Sequence, residues 1–445
     1  MKKYIINGGK KLAGEVYISG SKNVILKSVI AACLSEDEIE ISNVPLISDL
    51  YTMLDIFKEI GGTVRFSDHN LYLRLKKIKK NRIPLEMGAK IRTSSMFLAP
   101  LLIRNKSAII PNPGGCRIGA RPIDRHIEGL EKMGTIINYD HEDGYFHAKT
   151  NGLNGTSYKF VKNTHTGTET LILASVLARG QTILENAAEE PEIDDLISLL
   201  NKMGAKIKRV ENRKIIINGV KSLHGVSFKI MSDRNELVTF AILSALTGGN
   251  IWIKNGDLGK ISAFLSKFKN SGGLWEEKKG KIRFYIIDHI NPVDIETSFH
   301  PGFMTDWQGV WAVLMTQAHG DSIIHETVYE NRFGYVEELK KMGAKIDLFN
   351  IKVKDPENLY NFNYSKLDGN LKHAAKIQGK TDLHNAVLNV SDLRAGATLV
   401  IAALIAKGEN VVYGVEHLER GYENFDKRLE RLGANIKVLN EKYEE

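Results

Sequence analysis

The chain has 445 residues, of which 43 % are apolar, and its 61 Lys and Arg against 53 Asp and Glu give a formal net charge of +8. This apolar share excludes a wholly disordered chain, and at roughly 150 residues per domain the length predicts two to three domains. The first residues, MKKYIINGGKKLAGEV, contain no long apolar stretch, and no window approaches 18 uncharged apolar residues. We therefore expect neither a secretory signal nor a membrane-spanning helix.

A unit of about 70 residues repeats along the chain, and such a repeat has to be found before any fold is assigned. The phrase KMGAKI stands at Lys202–Ile207 and again at Lys341–Ile346, and four weaker copies share its glycine. The glycines of the six copies are Gly62, Gly134, Gly204, Gly273, Gly343 and Gly433. The successive steps are 72, 70, 69, 70 and 90 residues, so the six copies account for nearly the whole chain.

Each copy predicts two kinds of helix. Before Gly204 the apolar residues recur at helical spacing, which is typical of a helix with one buried stripe, and a glycine in the left-handed conformation closes such a helix. A second, nearly all-apolar helix, such as LILASVLARG or LVIAALIAKG, precedes a strand and must be buried on most sides. The pattern predicts an α/β fold in which sheets surround helices, with three units in each domain.

Two segments stand out between these elements. The densest basic run, RLKKIKKNR at Arg74–Arg82, lacks the interleaved aromatic residues of a nucleic-acid surface and favours a solvated strand edge. The last repeat carries roughly 20 extra residues within Asp347–Lys380, a polar stretch without a clear period. We predict an inserted surface loop or flap there, with a binding role as the alternative, and we expect no nucleic-acid partner.

The stretch PNPGGCRIGARPIDRH, Pro111–His126, predicts an irregular loop with a cysteine in it. Arg117 and Arg121 follow Cys116, and neighbouring cations stabilise a thiolate. Cys116 is therefore either a reactive thiol or a surface thiol beside incidental arginines. Cys33, in the apolar phrase IAACLS, is predicted to lie in the core. Two cysteines are too few for a disulfide scaffold and fit a reducing cytoplasm.

Several cations and carboxylates stand at turns or helix starts. The cations, with an adjacent amide, are Lys22, Asn23, Arg92, Arg332, Arg394 and Arg420, and the carboxylates are Asp233, Asp306 and Asp392. Such cations bind anionic oxygens if the fold brings them together and are otherwise surface charges. Asp306, before an apolar helix, either takes a proton from a hydroxyl or caps the helix.

Familiar cofactor motifs are absent from the sequence. It contains no GxxxxGK[ST], no GxGxxG after a strand, no HExxH and no paired CxxC, and its 13 histidines lack ligand spacing. We therefore predict no tightly bound metal and no nucleotide redox cofactor.

Six motifs in order resemble the UDP-N-acetylglucosamine 1-carboxyvinyltransferase family of enolpyruvyl transferases. They are GSKN, PGGCRIGARPID, DRNE, HPGFMTDWQ, ETVYENRF and SDLRAGATLV, and the resemblance covers the chain apart from the insertion. It implies a two-domain inside-out α/β barrel of six strand–helix units, three per domain, with helices buried within sheets. One domain would be 22–230, with the cysteine loop; the other would be 1–21 plus 231–445, with the insertion near 347–380.

The resemblance also implies a reaction. Enolpyruvate would pass from phosphoenolpyruvate to the 3′-hydroxyl of UDP-N-acetylglucosamine by addition and elimination, releasing phosphate, as the first committed step of peptidoglycan precursor synthesis in the cytoplasm. No cofactor, metal, membrane or obligate protein partner is implied, and the epoxide fosfomycin should alkylate Cys116. In these roles Asp306 is the base on the 3′-hydroxyl, and Cys116 protonates or covalently holds the phosphoenolpyruvate unit.

The family's functional residues carry over to matching positions of this chain. The catalytic set is Cys116, Asp306, Lys22 and Arg394. The substrate-binding set is Lys22, Asn23, Arg92, Arg121, Pro122, Ile123, Asp124, Arg125, Asp306, Val328, Arg332, Asp392, Arg394 and Arg420. Within it, cations surround the phosphate and carboxylate, and 121–125 forms the uracil and diphosphate strip.

The chain departs from the family pattern in places. THTGTET, Thr164–Thr170, stands where the family has a small turn at the diphosphate, Lys162 is displaced by one residue, and Arg125 replaces an apolar residue. Two alternatives stay open: the sister enzyme that acts on shikimate 3-phosphate, and a non-catalytic paralogue that binds UDP-sugars. The first is disfavoured because the chain reads KNVILK where that family has Lys-Ser-x-x-x-Arg.

Overall fold

The computed structural model describes residues 2–115, 118–119, 122–366 and 369–440. The β-strands of these residues are β1 Lys2–Gly8, β2 Ala13–Tyr17, β3 Ile39–Ser42, β4 Thr63–Ser67, β5 Asn70–Arg74, β6 Ser107–Pro111, β7 Thr135–Asp140, β8 Tyr145–Thr150, β9 Ser157–Lys159, β10 Gln181–Glu185, β11 Lys206–Glu211, β12 Lys214–Asn218, β13 Val226–Lys229, β14 Asn250–Lys254, β15 Gly273–Lys278, β16 Lys281–Ile286, β17 Ile295–Glu296, β18 Asp321–His325, β19 Lys345–Phe349, β20 Ala374–Gln378, β21 Val387–Asn389, β22 Gly408–Tyr413 and β23 Asn435–Asn440.

The α-helices are α1 Lys22–Ala32, α2 Ser48–Glu59, α3 Leu85–Gly88, α4 Leu98–Asn105, α5 Asp124–Lys132, α6 His165–Ser175, α7 Pro191–Lys202, α8 Arg234–Thr247, α9 Ser262–Asn270, α10 Gln308–Thr316, α11 Val336–Lys341, α12 Pro356–Leu359, α13 Leu393–Ile405 and α14 Phe425–Arg431. Short 3-10 helices are Arg92–Phe97, Leu258–Ile261, Thr305–Trp307, Tyr364–Lys366 and Val415–Arg420. No helix among the described residues has the length and apolar character to cross a membrane.

The chain divides into two compact units. The first comprises Met1–Ser19, Cys116–Ala120 and Ser232–Glu445, and the second comprises Gly20–Gly115 and Arg121–Met231. Among the described residues, the sheets of the first unit have the strand orders β21-β22-β1-β23, β15-β16-β14-β2 and β17-β18-β20-β19. Those of the second are β13-β3-β5-β4, β6-β8-β7 and β11-β12-β10-β9. Most of these sheets mix parallel and antiparallel pairs, since β2 runs parallel to β14 while β15 and β16 are antiparallel.

Apolar helices lie in the core of each unit. In α6 every residue from Gly167 to Ser175 is buried, and in α10 the whole helix is buried. In α13 all residues from Ala395 to Leu404 are buried. Apart from buried polar residues such as Glu169 of α6, these helices carry apolar side chains on every side, so a position with neighbours all around satisfies them. The prediction that the apolar helices are buried on most sides is confirmed.

The glycines of the repeat end helices, but in two of the six copies the glycine with positive φ is one residue earlier than predicted. Gly134, Gly204, Gly343 and Gly433 follow α5, α7, α11 and α14 with φ between 90° and 101°, as predicted. In the first and fourth copies, however, Gly61 and Gly272 take the positive φ, at 110° and 89°, instead of Gly62 and Gly273. Both copies read Gly-Gly, and the sequence phrase alone does not tell which glycine ends the helix.

The predicted insertion is not one irregular loop. Strands β19 and β20 lie partly or wholly within 347–380, and β20 is an inner strand of its sheet. The described residues 350–366 and 369–373 lie between these strands, and among them Tyr360 is fully buried and stacks on Phe362 and Tyr364. The basic run 74–82 is not a strand edge, because β5 ends at Arg74, but its four lysines are exposed to solvent as predicted.

Candidate active site

In the first unit, Asp306 is the centre of a group of charged side chains. It lies in the 3-10 turn before α10, and the capping positions there belong to Met304 and Trp307, so Asp306 is not the helix cap that remained one alternative. Arg332 Nη2 donates to Asp306 Oδ1 at 2.8 Å, and Arg394 Nη2 lies 3.4 Å from Oδ2. The carboxylate is therefore held by side-chain donors, while 24 % of the side chain remains exposed.

Two buried guanidinium groups keep their charge in this group. Burial lowers the pKa of Arg332, but Asp306 and Asp392 outweigh it and raise the pKa above its usual value. Arg332 Nη1 lies 3.7 Å from Asp392 Oδ1. Arg394 also has a raised pKa, since Tyr422 and Asp306 outweigh burial. Both arginines are thus fixed cations beside a partly exposed carboxylate, an arrangement suited to anionic oxygens.

Asp392 has a second role as a helix cap. Its Oδ1 accepts hydrogen bonds from the backbone N–H groups of Arg394 and Ala395 at 2.9 and 3.2 Å, which begins α13. Asp233 caps α8 in the same way. The cap orients the first turn of α13 and so places Arg394. Two other predicted residues belong to this unit. Val328, on the chain that connects β18 to Arg332, is buried, and Arg420 is the last residue of the 3-10 helix Val415–Arg420.

Sequence reasoning assigned no chemistry to two residues that contact this group. Asn235 Nδ2 lies 3.4 Å from Asp306 Oδ2, and its Oδ1 accepts a hydrogen bond of 2.9 Å from Trp307 Nε1. Because the indole N–H can only donate, it fixes the amide with its NH2 group toward Asp306. Tyr422 Oη accepts from Arg394 Nη1 at 3.1 Å. The phrase DRNE contains Asn235, but nothing local marks Tyr422.

In the second unit, Lys22 is paired with a carboxylate that the sequence did not reveal. It is the first residue of α1, and its Nζ lies 2.6 Å from Asp49 Oδ2 on α2. The side chains are 12 % and 8 % exposed, so the pair is mostly shielded from water. Asn23 is the next residue of α1 and is half-buried.

The predicted strip at 122–125 contacts two other predicted segments. Arg92 Nη2 donates to the carbonyl of Pro122 at 2.9 Å, and Arg125 Nη1 donates to the carbonyl of Asn163 at 3.2 Å. Ile123 is buried, whereas Pro122 and Asp124 are exposed. The structure therefore brings together Arg92, the strip and the chain before α6. Arg125 contacts the residue just before Thr164–Thr170, the segment that differs from the family pattern.

A buried histidine adjoins this strip. His126 Nε2 lies 3.0 Å from Thr166 Oγ1 in the first turn of α6. Burial, then the charges of Arg92 and Arg125, lower its pKa to about 3. Neutral His126 thus links the strip to α6 without adding a charge.

Of the two cysteines, the structure describes Cys33 and not Cys116. Cys33 is fully buried, its Sγ lies 3.5 Å from the carbonyl of Val29, and burial raises the pKa of its thiol, so it is a core residue as predicted. Cys116 and Arg121 lie outside the described residues, and their roles stay predictions.

One group of possible metal ligands occurs among the described residues. Asp140, Asp143 and His147 have ligand atoms within 4.8 Å of one another on the β7–β8 hairpin. Both carboxylates are exposed, and the group shares no residue with those described above. Such clusters are common without an ion, and the absence of a metal remains a prediction.

Comparison with known proteins identifies the class. The family model of EPSP synthase (3-phosphoshikimate 1-carboxyvinyltransferase) matches residues 6–429. The enolpyruvyl transferase NikO from Streptomyces tendae shares the fold, with a TM-score of 0.86 at 22 % identity, over 98 % of this chain and 99 % of that one. EPSP synthase from Acinetobacter baumannii has a TM-score of 0.75 at 16 % identity, over 99 % and 100 % of the two chains. The chain belongs to the enolpyruvyl transferase family and has its α/β fold.

Relatives of higher identity carry a more particular name. The UDP-N-acetylglucosamine 1-carboxyvinyltransferase of Koribacter versatilis is 39 % identical over 99 % of this chain and 97 % of its own length. Its namesake from Acidobacterium capsulatum is also 39 % identical, over 100 % and 98 % of the two chains. UDP-N-acetylglucosamine 1-carboxyvinyltransferase 2 of Carboxydothermus hydrogenoformans is 38 % identical over 99 % of this chain and all of its own length. The resemblance read from the motifs is confirmed.

Proposed function

We propose that this chain is a UDP-N-acetylglucosamine 1-carboxyvinyltransferase, which transfers enolpyruvate from phosphoenolpyruvate to the sugar 3′-hydroxyl and releases phosphate. The observation that carries the proposal is the identity of 38–39 % with relatives of that name over essentially the full chain. The group around Asp306 supports it, since it combines a partly exposed carboxylate with two fixed cations. The product would enter peptidoglycan synthesis.

The charged group of the first unit suits the addition step. Asp306 would accept the proton of the 3′-hydroxyl while that oxygen attacks C2 of phosphoenolpyruvate, and C3 would take a proton, giving a tetrahedral ketal. Loss of a proton from C3 and departure of phosphate then restore the double bond. Cations such as Arg394 and Lys22 would stabilise phosphate and carboxylate as charge shifts. Cys116 would be the acid or covalent holder of the phosphoenolpyruvate unit, with Arg121 beside it.

The finer organisation is part of the proposal. We infer six repeated units, three per domain, arranged as an inside-out α/β barrel, with domains near 22–230 and 1–21 plus 231–445. Support comes from the repeat of about 70 residues and from the buried apolar helices. Because both substrates are made in the cytoplasm, we place the enzyme there, acting on them without a cofactor, nucleic acid, membrane or obligate protein partner.

Phosphate release from phosphoenolpyruvate tests the function. We expect release only when UDP-N-acetylglucosamine is present, and a fall of roughly 10²–10⁴-fold in kcat for Asp306→Asn, as expected for a lost general base. Asp288→Asn is the matched control, because that carboxylate of the same unit is 86 % exposed. Release that required shikimate 3-phosphate would refute the proposal, and binding of the UDP-sugar without turnover would favour the non-catalytic paralogue.

A second measurement addresses Cys116. Fosfomycin should add its mass to the native protein once, at Cys116, and peptide mapping should find Cys33 unmodified because it is fully buried. An unmodified Cys116 after long exposure would contradict a reactive thiol there.

A further inference from the structure

Glu326 is a fully buried carboxylate that joins two segments of the site in the first unit. Its Oε2 accepts hydrogen bonds from Thr305 Oγ1 at 2.9 Å and from Gln308 Nε2 at 2.7 Å. Its Oε1 accepts from the backbone N–H groups of Val328 and Tyr329 at 2.8 and 3.0 Å. Four donors converge on two oxygens, which is the hydrogen-bonding pattern of an ionised carboxylate.

The donors come from the two segments that carry Asp306 and Arg332. Thr305 precedes Asp306 in the 3-10 turn, Gln308 is the first residue of α10, and Val328 and Tyr329 lie on the irregular chain that leads to Arg332. Neither segment is held by a sheet at that point. Glu326 therefore links the position of Asp306 to that of Arg332, whose side chains meet at 2.8 Å.

The orientation of this link is itself determined by a neighbour. Tyr335 Oη donates to Gln308 Oε1 at 3.0 Å, so the amide of Gln308 must present its NH2 group to Glu326. Tyr335 and Gln308 are both buried. The network is thus saturated, with donors and acceptors matched from Tyr335 through Gln308 to Glu326.

A buried carboxylate is a poor means of stabilising a core, because a charge that leaves water loses hydration that hydrogen bonds must first compensate. Burial raises the pKa of Glu326, against the opposing effects of the Tyr329 N–H and of Arg332. An apolar side chain would avoid that cost, but it would leave the N–H groups of Val328 and Tyr329 and the side-chain donors of Thr305 and Gln308 unpaired. A role in fixing geometry accounts for the carboxylate, and misplacement of reacting groups by about 1 Å can slow a reaction ~10²-fold.

We propose that Glu326 is a positioning residue that holds Asp306 and Arg332 in their productive arrangement. The inference rests on the proposed function, in which Asp306 acts as the base. Glu326 touches no reacting atom in this role and acts only through the two segments it joins.

Glu326→Gln tests the role with little change of volume. Whichever way the new amide turns, its NH2 group faces donors, so we expect kcat to fall ~10- to 100-fold while KM for UDP-N-acetylglucosamine changes less than threefold. Thr305→Val removes one of the four bonds and should give a smaller fall. Its matched control is Thr316→Val, on a buried threonine of α10 whose hydroxyl donates to the carbonyl of Val313 and accepts from Gln317 Nε2. All variants are assayed well below their Tm.

The double variant Glu326→Gln/Gln308→Glu supplies the rescue. In this variant the amide at position 326 would donate to the carboxylate at position 308. Tyr335 would still donate to position 308, and the amide oxygen at position 326 would still accept from the two backbone N–H groups. Recovery of kcat in the double variant supports positioning by this network. Full activity of Glu326→Gln, or a loss that matches its loss of folded protein, overturns the inference.

Crystal structures test the positioning role independently of the proposed function. Crystal structures of wild type and Glu326→Gln should show the Asp306–Arg332 contact lengthened beyond hydrogen-bond range in the variant. If wild type does not turn over UDP-N-acetylglucosamine, the proposed function fails and the contact distance alone decides on Glu326. An unchanged contact would overturn the positioning role whether or not the enzyme is active.

Discussion

The pair of Lys27 and Glu169 allows the effect of burial on an ion pair to be measured within one chain. Lys27 of α1 and Glu169 of α6 are 4 % and 0 % exposed, with Nζ and Oε2 3.3 Å apart. Lys58 and Asp55, in the same unit, have the same separation of 3.3 Å but are 55 % and 57 % exposed. The substitutions Lys27→Met and Lys58→Met therefore differ in burial and not in distance.

The expected magnitudes are well separated. At 3.3 Å the attraction is about 5 kcal/mol for an effective dielectric constant of 20, and removing one partner of a buried pair costs about 3–5 kcal/mol because the other charge is left unpaired. His165 Nε2 lies 3.2 Å from Glu169 Oε1 and takes over part of the loss, so we expect about 3 kcal/mol for Lys27→Met. The exposed pair contributes about 0–1 kcal/mol.

Differential scanning calorimetry measures the difference. For a unit of about 200 residues, a loss of ~3 kcal/mol lowers Tm by roughly 6–12 °C, and Lys58→Met should lower it by at most about 4 °C. All four tryptophans lie in the first unit, so far-UV dichroism is the appropriate optical probe. Adding Glu169→Gln to Lys27→Met should recover most of the loss. Equal shifts for the two single variants, or no recovery in the double variant, would refute the reasoning.

Three further outcomes are expected. Tyr360→Phe removes the 2.9 Å hydrogen bond to His325 Nε2 and should lower the free energy of unfolding by about 1 kcal/mol in urea, whereas an unchanged midpoint would mean that the bond contributes nothing. Burial lowers the pKa of His165, but Glu169 outweighs burial and leaves the pKa raised, so the stabilising effect is complete below the unfolded pKa near 6.5 and fades as pH rises through the folded pKa. The Tm difference between wild type and His165→Gln should therefore shrink as the pH rises above about 6.5. Iodoacetamide should label Cys33 only after unfolding, because the thiol is fully buried, and peptide mapping that found Cys33 itself labelled in the native protein would contradict that.

Much of the fold follows from local pattern. The apolar spacing before Gly204 predicts α7, and the apolar run at 399–408 predicts a helix buried on most sides, which α13 is. The order of strands in a sheet has no such local signal. Strand β1 pairs with β22 and β23, so Lys3 lies opposite both Tyr413 and Leu439. Pairing across some 400 residues depends on the packing of the whole unit, and no window of sequence contains it.

The sequence allowed us to predict which residues belong to the candidate site but not which of them contact one another. Arg332 and Arg394 were singled out as cations at turns, but their contacts with Asp306 join residues 26 and 88 positions apart. Asp49 lies in the first turn of α2, where an acidic residue is ordinary, so nothing marked it as the partner of Lys22. Tyr360 was missed because the stretch around it is polar and lacks a period, although three aromatic side chains within it stack on one another.

Three carboxylates of the first unit differ in what they can do because their donors differ. Asp392 accepts from two backbone N–H groups of α13, which do not move without unwinding the helix. Glu326 accepts four hydrogen bonds inside the core, where no substrate reaches it. Asp306 is partly exposed, and the donors described on it are the side chains of Arg332, Arg394 and Asn235. Under the proposed function, a hydroxyl entering the site would share its proton with Asp306, while Asp392 and Glu326 keep their hydrogen bonds to the backbone and the core.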